Sequence, residues 1–134
     1  MNQLDKLSGI AHWLPRLSLA ATFIYHGYPK LLSSSAVSEG MGMPVFLIIL
    51  VGLAEIGGAL LILWGGFGPD WATRLGGLLF AAVMIGAIFI VHAQNGWNSI
   101  GNAGMEFQVL ILSVSLLFAF KGNVLNNANK ASEG

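Results

Sequence analysis

The sequence predicts an all-α protein, a membrane-spanning four-helix bundle with both termini in the cytoplasm. Of its 134 residues, 55% are hydrophobic and 9% are charged, whereas soluble domains carry about 25% charged residues. Four hydrophobic stretches, each near the ~20 residues that a helix needs to cross a bilayer, fill the chain. They lie at about residues 13–32, 44–64, 71–92 and 105–121. We therefore expect one transmembrane domain over residues 1–134, ending in a polar tail at 122–134.

The first stretch is interpreted as a retained helix rather than a cleaved signal peptide. Lys6 precedes it, and residues 18–20 form a passable small-x-small cleavage site. The apolar run continues well beyond that site, however, whereas a signal peptide has a shorter apolar core. The first stretch therefore counts as a membrane helix.

Each hydrophobic stretch carries ionisable residues inside it or at its edge. Such groups are costly at membrane depth and usually mark function. In chain order they are Arg16, His26, Lys30, Glu55, Arg74, His92 and Glu106. Glu55 lies near the middle of the second helix, where a carboxylate must be protonated, paired or hydrogen-bonded. We expect its partner to be His26 first, and Arg16 or Arg74 next.

Three of these residues are predicted to lie toward the outer side of the membrane. His26, His92 and Glu106 converge there if their helix faces turn inward, and with Glu55 they would line an outward-opening pocket. Pockets of this kind, apolar with a few convergent polar groups, are typical binding sites, and this one would suit a quinone head group or a small anion. A polar knot that only ties the helices together is the alternative interpretation.

The inner side of the membrane is identified by the distribution of Lys and Arg. One side receives five of these residues, and Lys30 is on the other. The five are Lys6, Arg16, Arg74, Lys121 and Lys130. The positive-inside rule then places both termini in the cytoplasm. Arg16 and Arg74 would hold an anion, form a structural ion pair or extend to the inner interface.

Composition excludes several kinds of chemistry. The chain has no cysteine, which excludes disulfides, thiol redox chemistry, cysteine-ligated clusters and c-type haem attachment by this chain. Its formal net charge is zero, which argues against nucleic-acid binding. No two His or Glu residues are spaced i,i+4 in one helix, so no metal site is predicted.

The polar residues also carry a family resemblance. The first helix has an Arg followed by His-Gly-x-x-Lys-Leu, the second has a Glu followed by Gly-Gly, the third opens on an Arg and the fourth on Gly-x-Glu. The corresponding residues are Arg16, His26-Gly27-Tyr28-Pro29-Lys30-Leu31, Glu55, Gly57-Gly58, Arg74 and Gly104-Met105-Glu106. This ordered set resembles the DoxX family and extends over nearly the whole chain.

The resemblance implies a multi-pass protein of the bacterial or archaeal cytoplasmic membrane. DoxX-like proteins are named for a relative of the DoxD subunit, which was assigned to a terminal quinol oxidase and a thiosulfate:quinone oxidoreductase. The leading hypothesis is therefore a quinone-interacting membrane subunit of a redox system, possessing no haem, flavin or iron–sulfur cluster of its own. In this hypothesis Glu55 and His26 handle protons as the catalytic residues. The ligand-binding residues are His92, Glu106, Arg16, Arg74 and Lys30.

Two other functions remain open at this stage. The chain is either a non-catalytic membrane partner, assembled with larger redox proteins or with copies of itself, or a carrier of protons or a small molecule. A partner redox subunit is needed under the leading hypothesis as well, because this short chain has no soluble domain to hold an electron-transfer cofactor.

Overall fold

Six α-helices form the part of the chain that the structure describes. The structure is a computed structural model; it describes residues 2–126, and of Asn2 the backbone only. The helices are α1 (Asn2–Ala11), α2 (Trp13–Leu32), α3 (Ser34–Met41), α4 (Val45–Gly65), α5 (Asp70–Ala87) and α6 (Glu106–Lys121). A π-helical turn (Ile88–His92) and a 3-10 turn (Ala93–Asn95) prolong α5, and a second 3-10 turn (Gly122–Asn126) follows α6. Lys130 and the rest of the predicted polar tail lie outside the described residues.

The all-α prediction is confirmed, and so is the presence of helices that are able to cross a membrane. Among the described residues three helical segments are long and apolar enough: Val45–Gly65, Asp70–Asn95 and Glu106–Asn126. Helix α2 has 20 residues but is not one of the three, because Arg16, His26 and Lys30 lower its hydropathy. Composition thus supports three spans where the sequence analysis expected four.

The long helices pack as antiparallel neighbours in the order α2, α4, α5, α6. Small residues let their backbones approach closely. A Cβ at Gly58 would lie 2.6 Å from the ring of Phe80, and a Cβ at Gly77 would lie 2.7 Å from the carbonyl oxygen of Ser115. At the centre of the bundle, Phe23 of α2 stacks on Phe80 of α5 with ring centroids 3.8 Å apart.

The bundle has two ends of different character, named here the Arg16 end and the His92 end. At the Arg16 end, α2 and α5 begin, and α4 and α6 finish. Aromatic side chains cluster there, with Trp13 on Phe67 at 4.5 Å and Trp64 edge-on to Trp71 at 5.3 Å. Such a girdle is typical of a membrane–water interface.

Two short helices were not predicted from the sequence. Residues 33–42, which lie between the first two predicted membrane stretches, contain α3, whose C-cap Gly42 has the left-handed conformation (φ 64°). Helix α1 precedes the first hydrophobic stretch and packs on the Gly122–Asn126 turn. Both are too short and too polar to register as hydrophobic spans.

Candidate functional site

A buried ion pair joins α2 to α4. The ammonium Nζ of Lys30 donates to both carboxylate oxygens of Glu55, at 2.9 Å (Oε2) and 3.1 Å (Oε1), and to the carbonyl oxygen of His26 at 2.9 Å. The side chains are 13% exposed for Lys30 and 4% for Glu55. The expectation that Glu55 would be paired is therefore correct, but its partner is Lys30 and not His26, Arg16 or Arg74.

Two glycines set the distance between α2 and α4 at this pair. A Cβ at Gly27 would lie 2.9 Å from the Cβ of Glu55, and a Cβ at Gly52 would lie 3.0 Å from the Cβ of Lys30. Real Cβ atoms essentially never approach to 2.9 Å and rarely to 3.0 Å, so glycine is needed at position 27 and strongly favoured at position 52. The sequence His26-Gly27-Tyr28-Pro29-Lys30 thus supplies three things on one face: room for Glu55, a carbonyl acceptor and a counter-charge.

A cavity of about 440 Å³ lies beside this pair, toward the His92 end. Residues from α2, α3, the α3–α4 linker, α4, α5 with its π-helical turn, and α6 line it, and most of them are apolar. Its polar lining residues are Thr22, His26, Lys30, Glu55, His92 and Gln108. Four of the residues predicted from sequence to form a site, His26, Lys30, Glu55 and His92, therefore share one cavity.

The two histidines of the cavity differ in their hydrogen bonding. The Nδ1 of His92 lies 2.8 Å from the carbonyl oxygen of Ala103, and because a carbonyl only accepts, Nδ1 carries the proton and a neutral ring offers Nε2 as an acceptor. Within residues 2–126 the ring of His26 has no hydrogen-bond partner, and His26 is solvent- or lipid-exposed. His26 is thus available to a ligand or to water.

Sequence reasoning missed Gln108 as a member of this site. Its Oε1 is buried and has no hydrogen-bond partner in the described part of the chain. Leaving a buried acceptor unpaired costs roughly 1–3 kcal/mol, so a group that supplies a donor here would be stabilised. The signal available in the sequence was an amide two residues into an otherwise apolar helix.

Glu106 does not line the cavity. Its Oε1 accepts from the backbone N–H of Ser99 at 3.0 Å, and its own N–H donates to the carbonyl oxygen of Trp97 at 3.1 Å. The carboxylate at the first turn of α6 therefore holds the α5–α6 loop, which also suits the positive end of the helix dipole. The predicted convergence of Glu106 with His26 does not occur.

Arg16 lies at the opposite end of the bundle and is fully buried (0% exposed). Its guanidinium uses all five N–H groups within about 3 Å and stacks over the ring of Phe118, 4.7 Å from the centroid. The five acceptors are His12 Nδ1, the Ile62 carbonyl oxygen, Thr73 Oγ1, Asn123 Oδ1 and Asn126 Oδ1. None of them is a carboxylate. With every donor committed to the protein, Arg16 ties four elements together and offers nothing to a ligand.

Arg74 caps the last turn of α6. It pairs with Asp70 and donates to the carbonyl oxygens of Ala119 (3.2 Å) and Phe120 (2.6 Å). A cation is favourable at a helix C-terminus because of the helix dipole. Arg74 and Arg16 therefore both lie away from the cavity, and neither extends freely into solvent.

Comparisons with known proteins agree with the motifs. The DoxX family model matches residues 11–93, a range that contains Arg16, His26, Lys30, Glu55 and His92. A protein of Bacillus subtilis (strain 168) named "Putative oxidoreductase CatD" is 27% identical over 140 aligned positions, which cover 94% of this chain and 99% of that protein. No solved structure matches significantly. The chain belongs to the DoxX family.

Proposed function

We propose that this protein is the quinone-interacting membrane subunit of a redox system. The observation that carries the proposal is the apolar cavity between the helices, with the Lys30–Glu55 pair and two histidines in its wall. The name of the Bacillus subtilis relative supports oxidoreductase chemistry for that protein, and the two chains align over nearly their full lengths.

The cavity suits a planar head group of limited polarity. Its volume of about 440 Å³ falls within the usual range for small-molecule sites, roughly 300–1,000 Å³. The exposed ring of His26 can donate to a quinone oxygen, and the buried Oε1 of Gln108 can accept from a hydroxyl of the quinol form. The methionine and aliphatic side chains offer contact with the ring faces. A bound quinone would supply two-electron, two-proton chemistry at this position.

The chain's own residues would manage the protons. The ring of His26 is exposed, contacts the edge of Tyr25 and has no hydrogen-bond partner among the described residues, so it would exchange protons with water at the outer surface and deliver them to the cavity. The ammonium of Lys30, held against the carboxylate of Glu55, would be the proton-bearing group in the cavity wall. In an apolar wall, such a pair holds a proton at lower cost than an isolated charge.

Electrons would come from a partner subunit. The chain has no cysteine, and helices make up most of residues 2–126. A redox protein docked at the membrane surface would pass electrons to the cavity, and this chain would bind the acceptor.

The proposed setting is the cytoplasmic membrane of a prokaryote, with the Arg16 end facing the cytoplasm. Arg16, Arg74 and Lys121 lie at that end, and Lys30 lies toward the other. Single cysteines at Asp70 and Asn98 test this orientation. A membrane-impermeant maleimide should label Asn98→Cys and not Asp70→Cys in whole cells, and the opposite pattern would refute the orientation.

Extraction of bound quinones tests the function itself. We expect purified protein to carry quinone, detected by mass spectrometry, and to lose most of it in His26→Ala and Gln108→Leu. Ser113→Ala is the matched control, because Ser113 is exposed on α6 and bonded only to the carbonyl oxygen of Val109. If the wild type yields no quinone above the detergent background, or if the cavity variants retain as much as Ser113→Ala, the proposal fails.

A further inference from the structure

We infer that α1 is a membrane-interface helix whose apolar edge lies at the boundary between lipid headgroups and acyl chains. The partner is the lipid surface at the Arg16 end of the bundle. Neither the family match, which begins at residue 11, nor the proposed redox function assigns a role to this helix.

The first observation is an exposed apolar edge on a polar helix. Leu4, Leu7 and Ile10 are 71%, 54% and 62% exposed, because no described residue of the bundle covers them. At 100° per residue these three side chains fall within one arc of about 120°; Asp5 falls on the opposite side, and Lys6 flanks the arc next to Ile10. An exposed apolar arc bordered by a basic residue is typical of helices that contact a membrane interface.

The second observation is the continuity of that edge with the bundle's lipid-facing surface. Leu14, in the first turn of α2, is 74% exposed and seven residues beyond Leu7, so the two lie on the same side if the helical phase continues. The phase does continue, because His12 between the two helices has helical dihedrals (φ −65°, ψ −19°). The same apolar strip therefore runs from α1 onto the bundle.

The C-terminal end of α1 lies at the level of the membrane–water interface. Trp13 follows it directly and packs on Phe67, next to Trp64 and Trp71. Tryptophan side chains concentrate where headgroups meet acyl chains. A helix that ends at this girdle and holds an apolar edge away from the bundle presents that edge to lipid.

Contacts with the rest of the protein hold α1 in place. His12 Nδ1 accepts from Nε of the buried Arg16 at 3.0 Å, and α1 packs on the Gly122–Asn126 turn. The side of α1 that faces the bundle holds Ser8, Gly9 and His12, which are half-buried or buried. The apolar edge is therefore held away from the protein.

A second copy of this chain fits the edge less well than lipid does. Stable protein interfaces use about 20–30 residues on each side, and α1 offers three large apolar side chains in a helix of 10 residues. Lys6, at the border of the apolar edge, also suits the negative headgroups of a cytoplasmic leaflet.

Spin labels on single cysteines test the inference, since the native chain has none. Labels are placed by Leu7→Cys and Asp5→Cys on α1 and by Leu53→Cys, an exposed position in the middle of α4, as the acyl-chain reference. All three sites are exposed, so the fold is preserved. The full chain is reconstituted in vesicles of phosphatidylcholine and phosphatidylglycerol, and collisions with oxygen and with a water-soluble nickel chelate are measured.

We expect the Leu7 label to resemble Leu53, with strong oxygen broadening and little nickel broadening, and the Asp5 label to show the reverse. Equal nickel broadening at positions 5 and 7 would overturn the inference, because α1 would then lie in water. Spin–spin broadening at position 7 that disappears on dilution with unlabelled protein would overturn it in favour of a second copy.

Discussion

Lys30 and Glu55 form an ion pair across the α2–α4 contact, with Nζ 2.9 Å from Oε2 and both side chains largely shielded from solvent. This pair connects the fold to the proposed chemistry. It fixes the two helices at the level of the cavity, and it places a proton-bearing group in the cavity wall.

Removing one member of this pair should be costlier than removing both. Lys30→Met leaves a buried carboxylate without its counter-charge, which typically costs about 3–5 kcal/mol. The double variant Lys30→Met, Glu55→Leu should recover most of that free energy of unfolding. Titration with a denaturing detergent measures the free energy of unfolding of the single and the double variant, with Lys6→Met at an exposed position as control. Additive losses in the double variant would contradict a direct pair.

The close contact at Gly27 gives a second prediction. Gly27→Ala forces a Cβ to within 2.9 Å of the Cβ of Glu55, and overpacking of this kind costs about 1–3 kcal/mol. Gly57→Ala, on α4 with no atom within 4 Å of its added Cβ, should instead gain about 0.5–1 kcal/mol from helix propensity. Thermal unfolding in detergent compares them, and equal melting temperatures would rule out the proposed steric limit.

At the Arg16 end, replacing the guanidinium by an ammonium should be strongly destabilising. Arg16→Lys keeps the charge but cannot reach five acceptors, and each buried acceptor left unpaired costs roughly 1–3 kcal/mol. Arg74→Lys is the matched control, because its side chain is 39% exposed and exposed pairs contribute about 0–1 kcal/mol. The account predicts a much larger fall in melting temperature for Arg16→Lys; similar falls would argue against the network.

His12 should make the stability of this end depend on pH. Burial lowers the pKa of His12 below its usual 6.5, and the neighbouring positive charge of Arg16 lowers that pKa further. Below pH 6.5 the unfolded chain then binds more protons than the folded one, so the free energy of unfolding falls as pH falls toward the folded-state pKa. Above pH 6.5 His12 is neutral in both states, and this loss of stability is absent.

The variant His12→Gln isolates this effect, because glutamine can still accept from Arg16 but does not titrate. Melting temperatures from pH 8 to pH 5 should diverge, with the wild type losing more stability than the variant below pH 6.5. Parallel curves would show that His12 does not change its protonation on unfolding.

Particular residues show which parts of the fold and of the site could be predicted from the sequence. Hydropathy located the long helices because a helix between lipid and a bundle core is apolar on most of its sides. The motifs identified the family. Hydropathy cannot say which of two residues on one face reaches a partner. His26 and Lys30 share a face of α2, and Lys30 reaches Glu55 because its chain is longer and because Gly27 and Gly52 bring the backbones together.

The Arg16 network lay beyond sequence reasoning for a similar reason. Its acceptors Asn123 and Asn126 belong to a segment that composition marks as a polar tail, and Thr73 belongs to a different helix. Only tertiary packing brings them to one guanidinium. Glu106 was predicted to line the pocket, but its carboxylate accepts from the backbone N–H of Ser99 instead, a contact that depends on how the α5–α6 loop folds.

The central claim, that the cavity binds a quinone, is tested most directly by photo-crosslinking with an azido-quinone and mapping the modified residues by mass spectrometry. The account predicts modification within Thr22–Lys30 of α2 and around Gln108 of α6, suppressed by excess unmodified quinone and absent from the Arg16 end. Modification spread evenly over lipid-facing side chains, unaffected by competitor, would contradict the account.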